Sequence, residues 1–100
     1  MNINNIHNVY FVGIGGIGMS ALARFFKERN AIVSGYDKTN TPLTEQLMRE
    51  GMNIHFTDEI QLINREAELV VYTPAIPANH AELNWYRENG YKVVKRSDVL

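Results

Sequence analysis

Residues 12–23, Val12-Gly13-Ile14-Gly15-Gly16-Ile17-Gly18-Met19-Ser20-Ala21-Leu22-Ala23, decide how the rest of the chain is read. They hold a complete G-x-G-x-x-G at Gly13, Gly15 and Gly18, with an extra glycine at Gly16. Upstream, Val9–Val12 is a short continuous apolar run, as expected of a strand buried on both faces of a parallel sheet. Downstream, Met19, Leu22, Ala23 and Phe26 recur at i, i+3, i+4 and i+7, the core stripe of an amphipathic helix that closes near Asn30. A glycine turn between strand and helix gives each glycine a task. Gly13 permits the tight turn, Gly15 leaves room for a phosphate, and Gly18 lets the helix pack close to the sheet. Free N–H groups and the positive helix end then favour a diphosphate, with Met19 and Ser20 opening the helix that points at it. The ligand is a dinucleotide or any nucleoside diphosphate held the same way.

The same alternation continues along the chain. Ala31–Val33 reads as a second strand running out through Ser34-Gly35-Tyr36-Asp37. Thr41-Pro42 reads as an N-cap followed by proline at the first helical position. The helix carries Leu43, Leu47 and Met48 inward and stops at Gly51. Asn53–Phe56 is a third, weaker strand, and Asp58-x-x-Gln61 has the spacing of a capping box for a short helix. Leu69–Tyr72 is a fourth strand. Thr73-Pro74-Ala75-Ile76-Pro77 must be loop, because two prolines cannot continue a central strand. Asn79-x-x-Glu82 opens another helix by a capping box, with Leu83 and Tyr86 facing inward and Gly90 ending it. Tyr91–Lys95 is a fifth strand. Ser97-Asp98-Val99-Leu100 reads as the cap and first turn of a further helix, so residues 1–100 are expected to be one N-terminal domain of a longer protein.

Strands alternating with helices argue for an α/β, Rossmann-like, doubly wound parallel sheet of five strands in the order 3-2-1-4-5. In that order strands 1 and 4 are neighbours whose connections leave on opposite faces, and a crevice opens at their carboxyl ends. The glycine loop and the Thr73–Pro77 loop are therefore expected to line one pocket. Asp37 lies 19 residues after Gly18, where a carboxylate can accept hydrogen bonds from a ribose; it is equally an Asx-turn or cap residue. Asn79 is a ligand contact or a helix cap, and His80 reads as a surface residue in the first helical turn.

Composition narrows the remaining classes. The 100 residues are 45% hydrophobic and 21% charged with a net charge of -1, which suits one globular domain. Lys92-Val93-Val94-Lys95-Arg96 is the densest basic stretch and reads as a strand with solvated lysines, not a nucleic-acid surface. No apolar run approaches the ~20 residues of a membrane span, and Met1–Phe11 lacks the plan of a signal peptide. With no cysteine there is no disulfide or thiolate chemistry, which fits a cytoplasmic protein. There is no G-x-x-x-x-G-K-[ST] for ATP. His7, His55 and His80 stand far apart in sequence on different elements, so no metal site is expected.

Taken together, VGIGGIGMSALA, SGYD, the Thr41-Pro42 pair, YTPAIPANHAEL and the closing VVKRSDVL resemble the N-terminal domain of the Mur ligases. The resemblance spans nearly the whole chain. It implies a three-domain, ATP-dependent ligase of peptidoglycan synthesis that joins an amino acid to a UDP-linked precursor through acyl-phosphate formation and amine attack. Among family members, it is nearest those that add L-alanine to UDP-N-acetylmuramate, with the ligases that reattach a recovered peptide as the alternative. It implies that Gly15, Gly16, Ile17 and Gly18 hold the diphosphate of UDP-N-acetylmuramate, that Asp37 and its neighbours sit toward the ribose, and that Thr73, Pro74, Ala75 and Ile76 form the opposite wall. ATP, Mg²⁺ and L-alanine are implied at other domains, so no cofactor and no catalytic residue is expected in this fragment. The rival readings are the NAD-binding half of an oxidoreductase, which Gly13–Gly18 and Asp37 fit equally, and a nucleotide-sensing module.

Overall fold

A computed structural model describes residues 2–99. Five strands run parallel in one sheet: β1 (Asn8–Val12), β2 (Ile32–Tyr36), β3 (Asn53–His55), β4 (Leu69–Tyr72) and β5 (Val93–Lys95). Their order is β3-β2-β1-β4-β5, as the alternating pattern predicts. Helices α1 (Met19–Glu28), α2 (Pro42–Arg49) and α3 (Ala81–Glu88) fill the crossovers, and single 3-10 turns cover Ile3–Asn5, Ile60–Leu62 and Arg96–Asp98. None of the described helices is long and apolar enough to cross a membrane.

The central strand β1 is held on both edges, with Val9 opposite Val33 of β2 and opposite Leu69 of β4. Its residues Val9 to Val12 are fully buried, so an uninterrupted apolar run is what the position demands. Alternate residues feed two cores. Val9 and Phe11 meet Met19, Leu22, Ala23 and Phe26 of α1 and Leu47 of α2. Tyr10 and Val12 meet Leu83 and Tyr86 of α3. In α2 the fully buried side chains are Thr44 and Leu47, while Leu43 and Met48 pack at the core edge only half-buried. Thr44 is buried because its hydroxyl completes a reciprocal cap with Thr41: Thr41 N–H donates to Thr44 Oγ1 at 2.8 Å and Thr44 N–H donates to Thr41 Oγ1 at 3.2 Å. Arg24 of α1 makes two 2.9 Å bonds to Glu50 and ties the two helices of this layer together.

Three expected caps do not form. The 3-10 turn after β3 has no side-chain cap, so Asp58 does not serve Gln61 and its own turn. Helix α3 starts at Ala81, with His80 and not Asn79 at its N-cap. The segment after β5 is a 3-10 turn that Ser97 does not cap, and Leu100, the last residue of the expected helix start, lies outside the described residues. Strands β3 and β5 are each shorter than the expected Asn53–Phe56 and Tyr91–Lys95, as suits the two edges of the sheet.

The tightest backbone approach lies inside β2. A Cβ on Gly35 would stand 2.5 Å from the Phe11 carbonyl oxygen and 3.1 Å from Ile14 Cδ1. That crowding cannot be relieved without moving β1. Gly35→Ala is therefore expected to lower the melting temperature by about 10 °C or more, read by circular dichroism. An unchanged melting curve would show that the β1–β2 spacing is softer than described.

Candidate functional site

The chain turns sharply at the end of β1. Gly13 has φ +92°, and a Cβ there would lie 2.6 Å from Thr73 Cγ2. The first residue after β1 and the first after β4 thus touch, as the expected shared pocket requires. Tyr36, ending β2, accepts the Gly13 and Ile14 N–H groups at 2.8 and 3.0 Å and fixes the loop from the other side. Between these strand ends is a cavity of about 530 Å³. Of the expected residues, Gly13, Gly16, Asp37, Thr73, Ala75, Ile76 and Asn79 line it. Tyr36, Lys38, Asp58, Pro77 and His80 line it as well.

The other expected residues lie outside that lining, and the glycines work differently from their sequence reading. Gly15 donates its N–H to Asp37 Oδ2 at 2.7 Å, and a Cβ there would meet Asp37 and Thr44 at 2.9 Å. Its bareness makes room for the Asp37 carboxylate, which also accepts Thr39 N–H at 3.1 Å in an Asx-turn. Gly16 donates to the Gly13 carbonyl at 3.1 Å. Gly18 is the N-cap of α1 with φ +83°, and the space beside it is filled by Arg96, not by the sheet; a Cβ would lie 3.2 Å from Arg96 Nε. Met19 and Ser20 are buried in the helix, Ile17 is fully exposed at the loop tip, and Pro74 is exposed. Among the described residues the N–H groups of Ile17 and Gly18 find no acceptor. The exposed Arg96 side chain stands beside Gly18, and unpaired N–H groups at a helix start are of the kind that attract an anion.

The chain as a whole has relatives among known proteins. Residues 8–100 match the family described as "Mur ligase family, catalytic domain". The chain belongs to the Mur ligase family. It is 56% identical over 105 residues to a UDP-N-acetylmuramate–L-alanine ligase of Cytophaga hutchinsonii, covering 100% of this chain and 22% of that protein. It is 56% identical over 104 residues to the enzyme of the same name from Flavobacterium psychrophilum, covering 100% of this chain and 23% of that one. The crystal structure of a UDP-N-acetylmuramate–alanine ligase from Thermotoga maritima superposes with a TM-score of 0.84 at 30% identity, covering 90% of this chain and 21% of that one. The chain thus spans about a fifth of the length of the relatives it matches. Neither the oxidoreductase nor the peptide-recycling reading is favoured by these relatives.

Two features of the Mur ligase chain escaped the sequence reading. His80 is buried, not a surface residue: its Nδ1 accepts Leu83 N–H at 3.3 Å and its ring packs edge-on against Tyr36 at 4.7 Å. His55 packs on the same tyrosine at 6.0 Å, so two histidines distant in sequence share one aromatic neighbour. The second is Glu82, which is fully buried. It accepts the Tyr10 hydroxyl at 2.5 Å, lies 2.7 Å from His55 Nε2 and accepts Glu59 N–H at 3.0 Å. Glu82 does not reach back to Asn79; instead Asp58 accepts the Ala81 and Glu82 N–H groups at 2.8 and 2.9 Å. Capping-box spacing could suggest neither contact, because both partners lie more than twenty residues away. No group of three His, Cys, Asp or Glu among the described residues could hold a metal ion. The described residues therefore offer no fit for the Mg²⁺ that the family resemblance implies at other domains.

Burial first, and then the Glu82 charge, push the Tyr10 hydroxyl's ionisation far above its ordinary value of 10.0. Tyr86, which donates to the Asn64 carbonyl at 2.7 Å, is raised chiefly by burial. The folded chain holds both protons more tightly than the unfolded chain does. This contribution to stability is complete below about pH 10 and is lost as the pH rises above it. In an alkaline titration followed at 295 nm, these two of the five tyrosines are expected to ionise only as the circular dichroism signal of folding disappears. Full ionisation with the fold intact would contradict the burial of Tyr10.

Proposed function

We propose that this chain is the substrate-binding, N-terminal domain of an ATP-dependent ligase that adds L-alanine to UDP-N-acetylmuramate in the cytoplasm. The observation that carries the reading is the cavity at the carboxyl ends of β1 and β4, with the two free N–H groups of Ile17 and Gly18 next along the chain from its Gly16 wall. Ile17 and Gly18 donate to the diphosphate, and Arg96 supplies the counter-charge. The Thr73–Ile76 loop closes the opposite side. Asp37 and Lys38 stand at the ribose, although Asp37 spends one oxygen on Gly15. ATP, Mg²⁺ and L-alanine bind elsewhere in the longer protein, so this chain binds and orients substrate and turns over no ATP by itself. The relatives' names and the 0.84 superposition support this reading.

An amide NMR titration with UDP-N-acetylmuramate should move Ile17, Gly18 and Thr73 to Ile76 together, while NAD leaves them in place. The reverse pattern would return the chain to the dinucleotide binders. Arg96→Ala should weaken UDP-N-acetylmuramate binding about tenfold, with a smaller salt dependence than the parent chain. Equal affinities would remove Arg96 from the site.

A further inference from the structure

A second cavity lies at the other end of the sheet. Asn8, Ile32 and Asn53 are the first residues of β1, β2 and β3. In the strand register Asn8 lies opposite Ile32, and Ser34 lies opposite Asn53. These four side chains therefore share one face, the one on which Tyr10 and Tyr36 follow at alternate positions and α3 packs. Helix α3 does not cover the amino ends of β2 and β3. The crossover from β3 to β4 holds a single 3-10 turn, Ile60–Leu62, where a doubly wound sheet ordinarily carries a helix. The uncovered space is a cavity of about 340 Å³, with these four residues as its floor and the segment running from Leu62 to Glu66 as its wall.

Polarity in this cavity is inverted. Ile32 and Leu62 are exposed, whereas Ser34, two residues further along β2, is only 7% exposed. The Ser34 hydroxyl is buried without a hydrogen-bond partner. Folded proteins keep few such groups, and one left unpaired in a cavity wall is capacity for a ligand. The carboxamides around it show what else is free. Asn64 is fully used: its Nδ2 donates to Asn8 Oδ1 at 3.2 Å, and its Oδ1 accepts Glu66 N–H at 2.9 Å. Asn8 keeps its own amide N–H groups to give. Asn53 and Glu66 are exposed, and neither side chain bonds to another described residue. The free set is thus a hydroxyl and a carboxamide that each donate and accept, a further amide donor and one carboxylate, beside aliphatic Ile32, Leu62 and Ile63.

That set discriminates between ligand classes. An alkylammonium satisfies Glu66 but has no lone pair for the donors of Asn8 and Asn53. A carboxylate or phosphate finds no lysine or arginine in the lining and meets Glu66 as a like charge. A hydroxyl donates and accepts, so it matches every free group, and the C–H face of a polyol packs on the aliphatic side. We propose that this cavity is a binding site for a small neutral polyol of monosaccharide size, with the Ser34 hydroxyl as its innermost contact. The hydroxyl is closed to water in the empty cavity and enters it by rotation about the one side-chain torsion of serine.

Glucose is the probe, titrated into the ¹⁵N-labelled chain. The backbone amide of Ser34 and the side-chain amides of Asn8 and Asn53 should shift together and saturate, while the Ile17 and Gly18 amides stay in place. Butylammonium, butyrate and glycine, which carry one charge or both, should give no saturating shift. Ser34→Ala should weaken glucose binding about fivefold, the size of one neutral hydrogen bond, and should leave the melting temperature equal or higher because an unmet hydroxyl is gone. Glu66→Gln, which still accepts, should bind glucose as the parent does. A charged probe that saturates these signals more tightly than glucose overturns the proposal, as does a glucose response spread over the whole surface or absent. Signals that follow protein concentration instead of glucose would make this face a contact between two copies and overturn it too. A Ser34→Ala variant that melts lower would show the hydroxyl already satisfied by resident water, and the site would fall on that result as well.

Discussion

Strand β1 is paired on both edges, and the connections from its two neighbours leave on opposite faces of the sheet. The backbone beyond its last residue therefore has nothing above it. That is a geometric consequence of parallel pairing with right-handed crossovers, and it needs no particular side chain. The side chains decide how tightly the gap is drawn. Gly13 and Thr73 meet at a distance that no Cβ on residue 13 would permit, and the Tyr36 carbonyl pins the next two N–H groups. The glycine loop is thus fixed by the Tyr36 carbonyl and by the Thr73 side chain before any ligand arrives, which lowers the ordering cost of binding.

The α3 side of the sheet is organised differently. Its core contains a carboxylate, Glu82, with no exposed surface, where an aliphatic side chain would pack more cheaply. Tyr10 from β1, His55 at the end of β3 and the backbone of Glu59 all converge on it. Removing any one would leave a buried charge short of a partner, which is costly even where the intact network contributes little net stability. What the network supplies is placement. It fixes the end of β3 and the start of α3 relative to β1, and these are the segments that carry Asp58 and His80 to the cavity.

The sequence made the sheet order and the pairing of the two loops legible because both follow from periodicity and punctuation, which are local. Val9–Val12, the Met19–Phe26 stripe and the prolines at 74 and 77 each announce their role within a few residues. Asp58, His80 and Glu82 were illegible for the opposite reason. Asp58 and Glu82 have the residue types and spacing of capping boxes, which assign each to its own turn, and His80 reads as a surface residue of the first turn. In the fold, Asp58 caps a helix 23 residues on, His80 replaces Asn79, and Glu82 turns inward to Tyr10 across 72 residues. The glycines show a milder form of this. The motif marked the right loop, yet Gly15 makes room for Asp37, and Gly18 is set by its positive φ and by Arg96.

The capping of α3 has a consequence for how this chain can change. Its first three N–H groups are shared between a carboxylate from one loop and an imidazole from the helix's own start. Neither residue can be exchanged freely without stranding donors that the other cannot reach. A change at position 58 exposes the N–H groups of Ala81 and Glu82, and a change at position 80 that of Leu83, so each position is constrained by its own donors and tolerates only side chains that can still accept them.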